Sequence, residues 1–294
     1  MATLKELKVR IGGVKGTQKI TKAMKMVASA KFRRAQERIV TMRPYAQKIN
    51  ELLAQLVEAA GEEADKIMTQ REVKNRLVVV VSSDRGLAGS FNTNIIRYAS
   101  NYINSLGPDT KVITVGRKCT DAFRKKDVNV IKTYVNLFND LTLELSNDIV
   151  NNIIDGYEKK LYDGVDIVYS KFISVVKQET AMEQFLPLKK SADVLNNIDK
   201  NEKKTKNTDY IFEPNAVDIL KVLIPKQYRI HFWKVLLESN AAEQAARMTA
   251  METATKNASD LLSELELSYN QARQAAITKE ILEIVGGAEA LKDA

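Results

Sequence analysis

The stretch RMTAMETATKNASDLLSELELSYNQARQAA, residues 247–276, decides the fold. Along it, apolar and small residues recur at Met248, Met251, Thr255, Ala258, Leu262, Leu265, Tyr269, Ala272 and Ala276. Alternating steps of three and four mark the seam of a left-handed coiled coil. A seam needs a second helix, and the opposite end of the chain offers one. Leu4, Leu7, Ile11 and Val14 begin a rougher repeat. It shifts phase to Ile20, Met24 and Val27, then resumes at Ala35, Ile39, Met42, Ala46, Ile49 and Leu53. Two helices of roughly 50 residues would each run about 75 Å at 1.5 Å per residue. Rods of that length serve a shaft, not a globular core.

Between the rods the pattern changes to that of an α/β domain. Leu77-Val78-Val79-Val80-Val81 is a β-branched run suited to a parallel strand covered on both faces. Further strands are expected at 111–115 and 128–135, with helical patterns around Ile95–Ile103, Thr120–Lys125 and Asp140–Leu161. Residues 166–175 and 179–188 read as an antiparallel pair. Alternation of this kind predicts a three-layer, Rossmann-like α/β domain. The organisation is thus an N-terminal shaft helix over 1–60, a central domain over 76–190 and a polar loop over 191–213. A C-terminal shaft helix over 214–294 pairs with 1–60. Because the central domain sends the chain out and back, the rods should run antiparallel. Pro44 should bend the first rod, and Pro225 should end a short helix before the second begins near Gln227. Gly286-Gly287 should loosen its end. The clustered Gly12, Gly13 and Gly16 are poor helix formers that permit close approach of another backbone. Ala241, Ala242, Ala245, Ala246, Ala250, Ala254 and Ala258 allow the axes to approach near the lower end of the ~8–10 Å range.

Charge narrows the function. The net charge is +8, and eleven Lys or Arg lie between Lys5 and Arg38 against only Glu6 and Glu37. Such a stripe wants a polyanionic partner: nucleic acid, anionic lipid or an acidic protein surface. Between residues 1 and 44 only Phe32 is aromatic, which disfavours stacking on RNA bases. No apolar run reaches the length of a membrane span. The single cysteine, Cys119, has no disulfide mate, and the single histidine, His231, excludes sites built on paired imidazoles. Nothing assembles a catalytic centre, a metal site or a cofactor site. The turn Asp84-Arg85-Gly86-Leu87-Ala88-Gly89-Ser90 follows a buried strand, as phosphate-binding turns do. It fits neither dinucleotide nor P-loop spacing and reads as a tight βα turn with positive φ at glycine.

Three passages together resemble the gamma subunits of F-type ATP synthases. The first is Gly16-Thr17-Gln18-Lys19-Ile20-Thr21-Lys22-Ala23-Met24-Lys25-Met26-Val27-Ala28 with Lys31-Phe32-Arg33-Arg34-Ala35-Gln36. The second is Ser82-Ser83-Asp84-Arg85-Gly86-Leu87-Ala88-Gly89-Ser90-Phe91-Asn92. The third runs from Glu238 through Ala245-Ala246-Arg247-Met248 and Ala272-Arg273-Gln274-Ala275-Ala276-Ile277-Thr278 to Gly286-Gly287-Ala288.

The resemblance implies a rotor shaft without chemistry of its own, standing in a ring of alternating alpha and beta subunits. It implies that the α/β domain grips the epsilon subunit and the c-ring, with delta elsewhere in the assembly. Ion-driven rotation would thereby be coupled to ATP synthesis or hydrolysis. By matching position, Met24 and Lys25 would lie near acidic lever loops of beta, while Arg247, Arg273, Gln274 and Thr278 would meet loops that catch the shaft. The bland alternative is that these arginines are helix-surface charges paired within the coil. Ala88 stands where the family often has cysteine, and the thiol-regulated insertion of the chloroplast form is absent. The mature pattern starting directly after Met1 suggests a bacterial source, peripheral on the cytoplasmic face of the inner membrane, rather than a mitochondrial one. The rival reading is a basic coiled-coil protein that binds nucleic acid, against which the acidic protein partner is preferred.

Overall fold

The computed structural model describes residues 3–67, 73–126, 128–188 and 210–292. Most of the polar loop expected over 191–213 therefore lies outside the described residues. The chain divides into two compact units, residues 1–28 with 247–294, and residues 29–246. Helices α1 (Leu4–Ala60) and α6 (Ala216–Lys292) contribute to both.

The larger unit is built on β1 (Arg76–Val81), which sits at the centre of a five-stranded sheet. The order is β3–β2–β1–β4–β5, where β2 is Lys111–Val115, β3 Asn129–Tyr134, β4 Gly164–Phe172 and β5 Gln178–Leu186. The first four strands are parallel, with Val79 opposite Ile113 on one side and Ile167 on the other. β5 closes the far edge antiparallel to β4. The period of two in β1 separates its side chains cleanly. Leu77, Val79 and Val81 enter one core with Ile149, Val150 and Ile153 of α5 (Leu143–Glu158) and with Phe232, Val235 and Leu236 of α6. Val78 and Val80 enter the other, with Ile95 and Ala99 of α3 (Phe91–Leu106) and Cys119 and Phe123 of α4 (Arg117–Phe123). Both faces are covered, so a wholly buried valine run is stable as a central strand.

Within this unit the two long helices also meet. Ile49, Leu53, Leu56 and Val57 of α1 form a core with Leu220 and Leu223 of α6 and with Ala64 of the short α2 (Glu62–Ile67). Phe32 and Ala35 pack on Ala241 and Ala245. Gln227 Nε2 donates to Asn50 Oδ1 at 2.7 Å. α1 ends at Gly61, whose φ of 54° suits a left-handed cap.

Pro225 does not end a helix. α6 runs through it without interruption, as α1 runs through Pro44. A proline inside a helix removes one ladder hydrogen bond and costs about 3 kcal/mol. Here Leu220 and Leu223 before it and Phe232, Val235 and Leu236 after it are fixed in cores, and that burial outweighs the local cost. Nor does the helix stop at Gly286-Gly287. It continues to Lys292, carried by the helix formers that follow, Ala288 to Lys292.

A polar cluster holds α6 on the sheet edge. His231 Nε2 lies 3.1 Å from Glu183 Oε2 of β5, and Lys171 of β4 pairs with the same carboxylate. The Tyr169 hydroxyl donates to Glu238 Oε2 at 3.3 Å. Burial alone would raise the Glu183 pKa, but hydrogen bonds from His231 and Lys171 overcome it and hold the group at about 2. A depressed carboxylate stabilises the native state above its unfolded value of 4.5 and loses that contribution as pH falls towards 2. The loss is about 3 kcal/mol over that window. Urea titrations between pH 6 and 2 should therefore show a shallower acid limb for Glu183→Gln than for the parent chain. Parallel limbs would remove Glu183 from the account.

Candidate functional site

The smaller unit is an antiparallel helix pair, in which the part of α1 up to Ala28 lies against the part of α6 from Arg247 onward. Its direction is fixed by contacts that climb one helix while descending the other. Lys25 Nζ meets Glu252 Oε1 at 2.7 Å, the Thr255 hydroxyl donates to Thr21 Oγ1 at 2.8 Å, and Lys15 Nζ lies 3.6 Å from Glu266 Oε1. The two ion pairs are largely exposed, so they contribute little to stability. Packing falls to the seam. Leu7, Thr21 and Ala28 are buried on α1, and Met251, Ala258 and Leu265 on α6. The α6 seam follows the repeat read from the sequence.

The α1 seam does not shift phase. It keeps steps of three and four through Leu4, Leu7, Ile11, Val14, Gln18, Thr21, Lys25 and Ala28, all at least half-buried. Ile20 and Val27 instead point outward, 62% and 57% exposed. Apolar character misled the reading, because the true seam changes chemistry midway and uses Gln18, Thr21 and Lys25, with Thr21 bonded to Thr255, where Ile20, Met24 and Val27 were expected. Gly12, Gly13 and Gly16 do not mediate close approach either, since a Cβ added at any of them would meet nothing within 4 Å.

The expected contact residues fall at two levels. Met24 and Lys25 are half-buried beside Glu252, and Arg247 is 8% exposed about one turn from Met251. Arg273, Gln274 and Thr278 are exposed; Arg273 lies about 40 Å beyond Arg247 along α6 at 1.5 Å per residue. There they lie level with the first turns of α1 and beyond. Lys25 has an acidic partner, Glu252, within its own coil. Arg273 and Gln274 present their side chains to solvent. The sequence reading missed the apolar end of α6. Ile277, Ile281, Leu282, Ile284 and Val285 are all exposed. Their signal was a cluster of large apolar residues that breaks the seam spacing.

The turn after β1 is closed by its own side chain. Asp84 accepts from the backbone N–H of Arg117 at 3.1 Å, Asn136 at 2.7 Å and Phe138 at 3.3 Å. The loops at the carboxyl ends of β2 and β3 thus aim three donors at one nearly buried carboxylate from the loop after β1. In a nucleotide-binding domain such donors would face a phosphate; here a resident anion already satisfies them. Positive φ falls at Gly89 (57°) as expected, but also at Leu87 (62°) and not at Gly86. Gly116, at φ 101°, passes so close to the Ser82 carbonyl that any side chain would collide with it. Cys119 lies wholly buried among carbonyl groups, and burial pushes its thiol up to about 11, so Lys118 does not activate it. Among the described residues no three His, Cys, Asp or Glu are grouped to hold a metal ion. No described helix is long and apolar enough to cross a membrane.

A family model described as ATP synthase matches residues 3–291. The ATP synthase gamma chain of Chloroherpeton thalassium is 48% identical, covering 99% of both chains. That of Cytophaga hutchinsonii is 45% identical over the full length of both. The chain belongs to the ATP synthase gamma chain family. Solved structures agree on the fold. A chain from the Euglena gracilis mitochondrial ATP synthase OSCP/F1/c-ring assembly matches with a TM-score of 0.69 at 22% identity, covering 98% of this chain and 94% of that one. A chain from the central stalk and c-ring of the Tetrahymena thermophila enzyme gives 0.60 at 24% identity, covering 80% and 99%. In this family the gamma chain is a non-catalytic subunit.

Asp84→Asn replaces one of two acceptor oxygens with an N–H₂ group, which must then face either the Phe138 N–H at Oδ2 or the Arg117 and Asn136 N–H groups at Oδ1. It should lower stability by about 2 kcal/mol, read as a shift in the urea midpoint. An unchanged midpoint would show that the three loops do not depend on this carboxylate.

Proposed function

We propose that this chain is the central rotor shaft of a bacterial ATP synthase. It transmits rotation between an ion-driven membrane ring and the subunits that make or hydrolyse ATP. One observation carries the reading: the first and last segments of a gamma-family chain form a slim antiparallel pair with an exposed surface along its length. Thin, stiff and asymmetric, such a pair can turn within a ring and present different faces to successive neighbours.

In this reading the finer partners are the alpha and beta subunits around the helix pair, with epsilon, delta and the c-ring completing the assembly. One copy serves each complex, held at the cytoplasmic face of the inner membrane through the c-ring. The basic residues from Lys5 to Arg38 suit acidic loops on beta. Arg273, Gln274 and Thr278 are the better candidates for direct contact because they are exposed. Arg247 is nearly buried and acts on the ring chiefly by shaping the helix surface around Met248 and Met251. Met24 and Lys25 contribute at that same level. The exposed apolar end of α6 suits an end sheathed by surrounding subunits.

Replacing Arg273 with alanine should leave the unfolding midpoint of the chain within about 0.5 kcal/mol, as for an ordinary surface position. ATP turnover of the reconstituted complex should fall about tenfold, matching loss of a charge-assisted hydrogen bond of about 1.5 kcal/mol or slightly less. Arg247→Ala should reduce both stability and turnover. Undiminished turnover in both variants would withdraw the contact assignment.

A further inference from the structure

We propose that a groove between α1 and α6 binds a small aromatic anion, a planar ring carrying a phosphate or carboxylate group. The groove lies wholly within the larger unit and has a volume of about 460 Å³. Small-molecule sites typically run to ~300–1,000 Å³. Arg34, Glu37, Arg38, Thr41 and Met42 of α1 line one side, and Trp233 of α6 lines the other.

Each half of the ligand has a counterpart. Trp233 and Met42 pack against the core that holds Leu77, Val79 and Val81. That packing fixes the indole while leaving it half-buried, so it offers a flat surface to a second ring. Arg34 and Arg38 stand one turn apart and share a helix face. Neither has a carboxylate partner among the described residues. Arg38 donates through Nη1 to the Leu141 carbonyl at 3.1 Å, which orients its guanidinium and leaves other N–H groups for an anion. Glu37 is the one acid of the groove, and Arg33 holds its carboxylate at 3.2 Å. Two guanidinium forks beside an indole therefore join bidentate donors for phosphate or carboxylate to a stacking surface. Length sets the ligand's size. From Arg34 to Met42 the lining covers about 12 Å at 1.5 Å per residue, which suits one ring with a short anionic arm better than a docked helix.

This site does not rest on the rotor reading. Trp233 is the only tryptophan in the sequence, so the emission of the full chain reports on the groove directly. Titration with adenosine monophosphate or with benzoate should quench it saturably, and the one that saturates at lower concentration identifies the anionic group. Adenosine and inorganic phosphate, each supplying one half of the ligand, should need at least tenfold higher concentrations. Arg34→Gln, at an exposed position, should weaken binding about tenfold, the factor for a lost charge-assisted hydrogen bond. Its unfolding midpoint should not move. Glu37→Gln removes the opposing acid and should tighten binding at least twofold. Emission indifferent to both aromatic anions would overturn the proposal, as would an equal response to adenosine or an affinity unchanged in both variants. Quenching by a glutamate-rich peptide but by neither small anion would also overturn it, giving the groove to an acidic protein segment instead.

Discussion

Close antiparallel pairing of the two terminal helices is the constraint on which the remaining structure depends. In the smaller unit it is made by Ala28, Thr21 and Leu7 against Met251, Ala258 and Leu265. In the larger unit it is made by Phe32 and Ala35 against Ala241 and Ala245, and by Ile49 and Leu53 against Leu220 and Leu223. Small residues bring the backbones near each other, and dispersion over a long contact accumulates from many individually weak terms. That economy leaves most of the outer surface of the smaller unit free of internal duties. Lysines, arginines and apolar residues on it can then be selected for what surrounds the pair.

The α/β layer answers a different requirement. It interrupts the chain between the two helices with a packed sheet whose turns are closed from within. The valine run of β1 supplies a rigid centre by filling both cores, and the switch of direction at β4 and β5 closes the far edge. Asp84 completes the arrangement. Donors at the carboxyl ends of parallel strands are an electrostatic liability if left unpaired, because buried N–H groups without acceptors are costly. A carboxylate from within the turn satisfies them permanently.

Much of this was legible in the sequence because it rests on periodicity. The 3-4 spacing from Met248 to Ala276, the β-branched run of β1 and the alternation of strand and helix are direct imprints of geometry on residue type. The failures share one cause, which is that local character was weighed over burial. Ile20 and Val27 looked like seam residues because they are apolar, yet Thr21 and Ala28 occupy the contact. Pro225 looked like a terminator because of its ring, yet cores on both sides hold the helix through it. The positive φ at Leu87 and the three donors aimed at Asp84 are tertiary facts that no spacing records. Of the candidate contacts, sequence similarity proposed the positions, but only the structure separates buried Arg247 from exposed Arg273.

The pairing itself admits a direct measurement. The Thr21 and Thr255 hydroxyl oxygens stand 2.8 Å apart across the seam, close to where two sulfur atoms would sit in a disulfide. With Thr21→Cys and Thr255→Cys installed in the full chain, mild oxidation should convert nearly all molecules to a crosslinked form, visible as a mobility shift reversed by reductant. A chain that stays uncrosslinked under those conditions would mean its two ends do not lie together, and no shaft could be built from them.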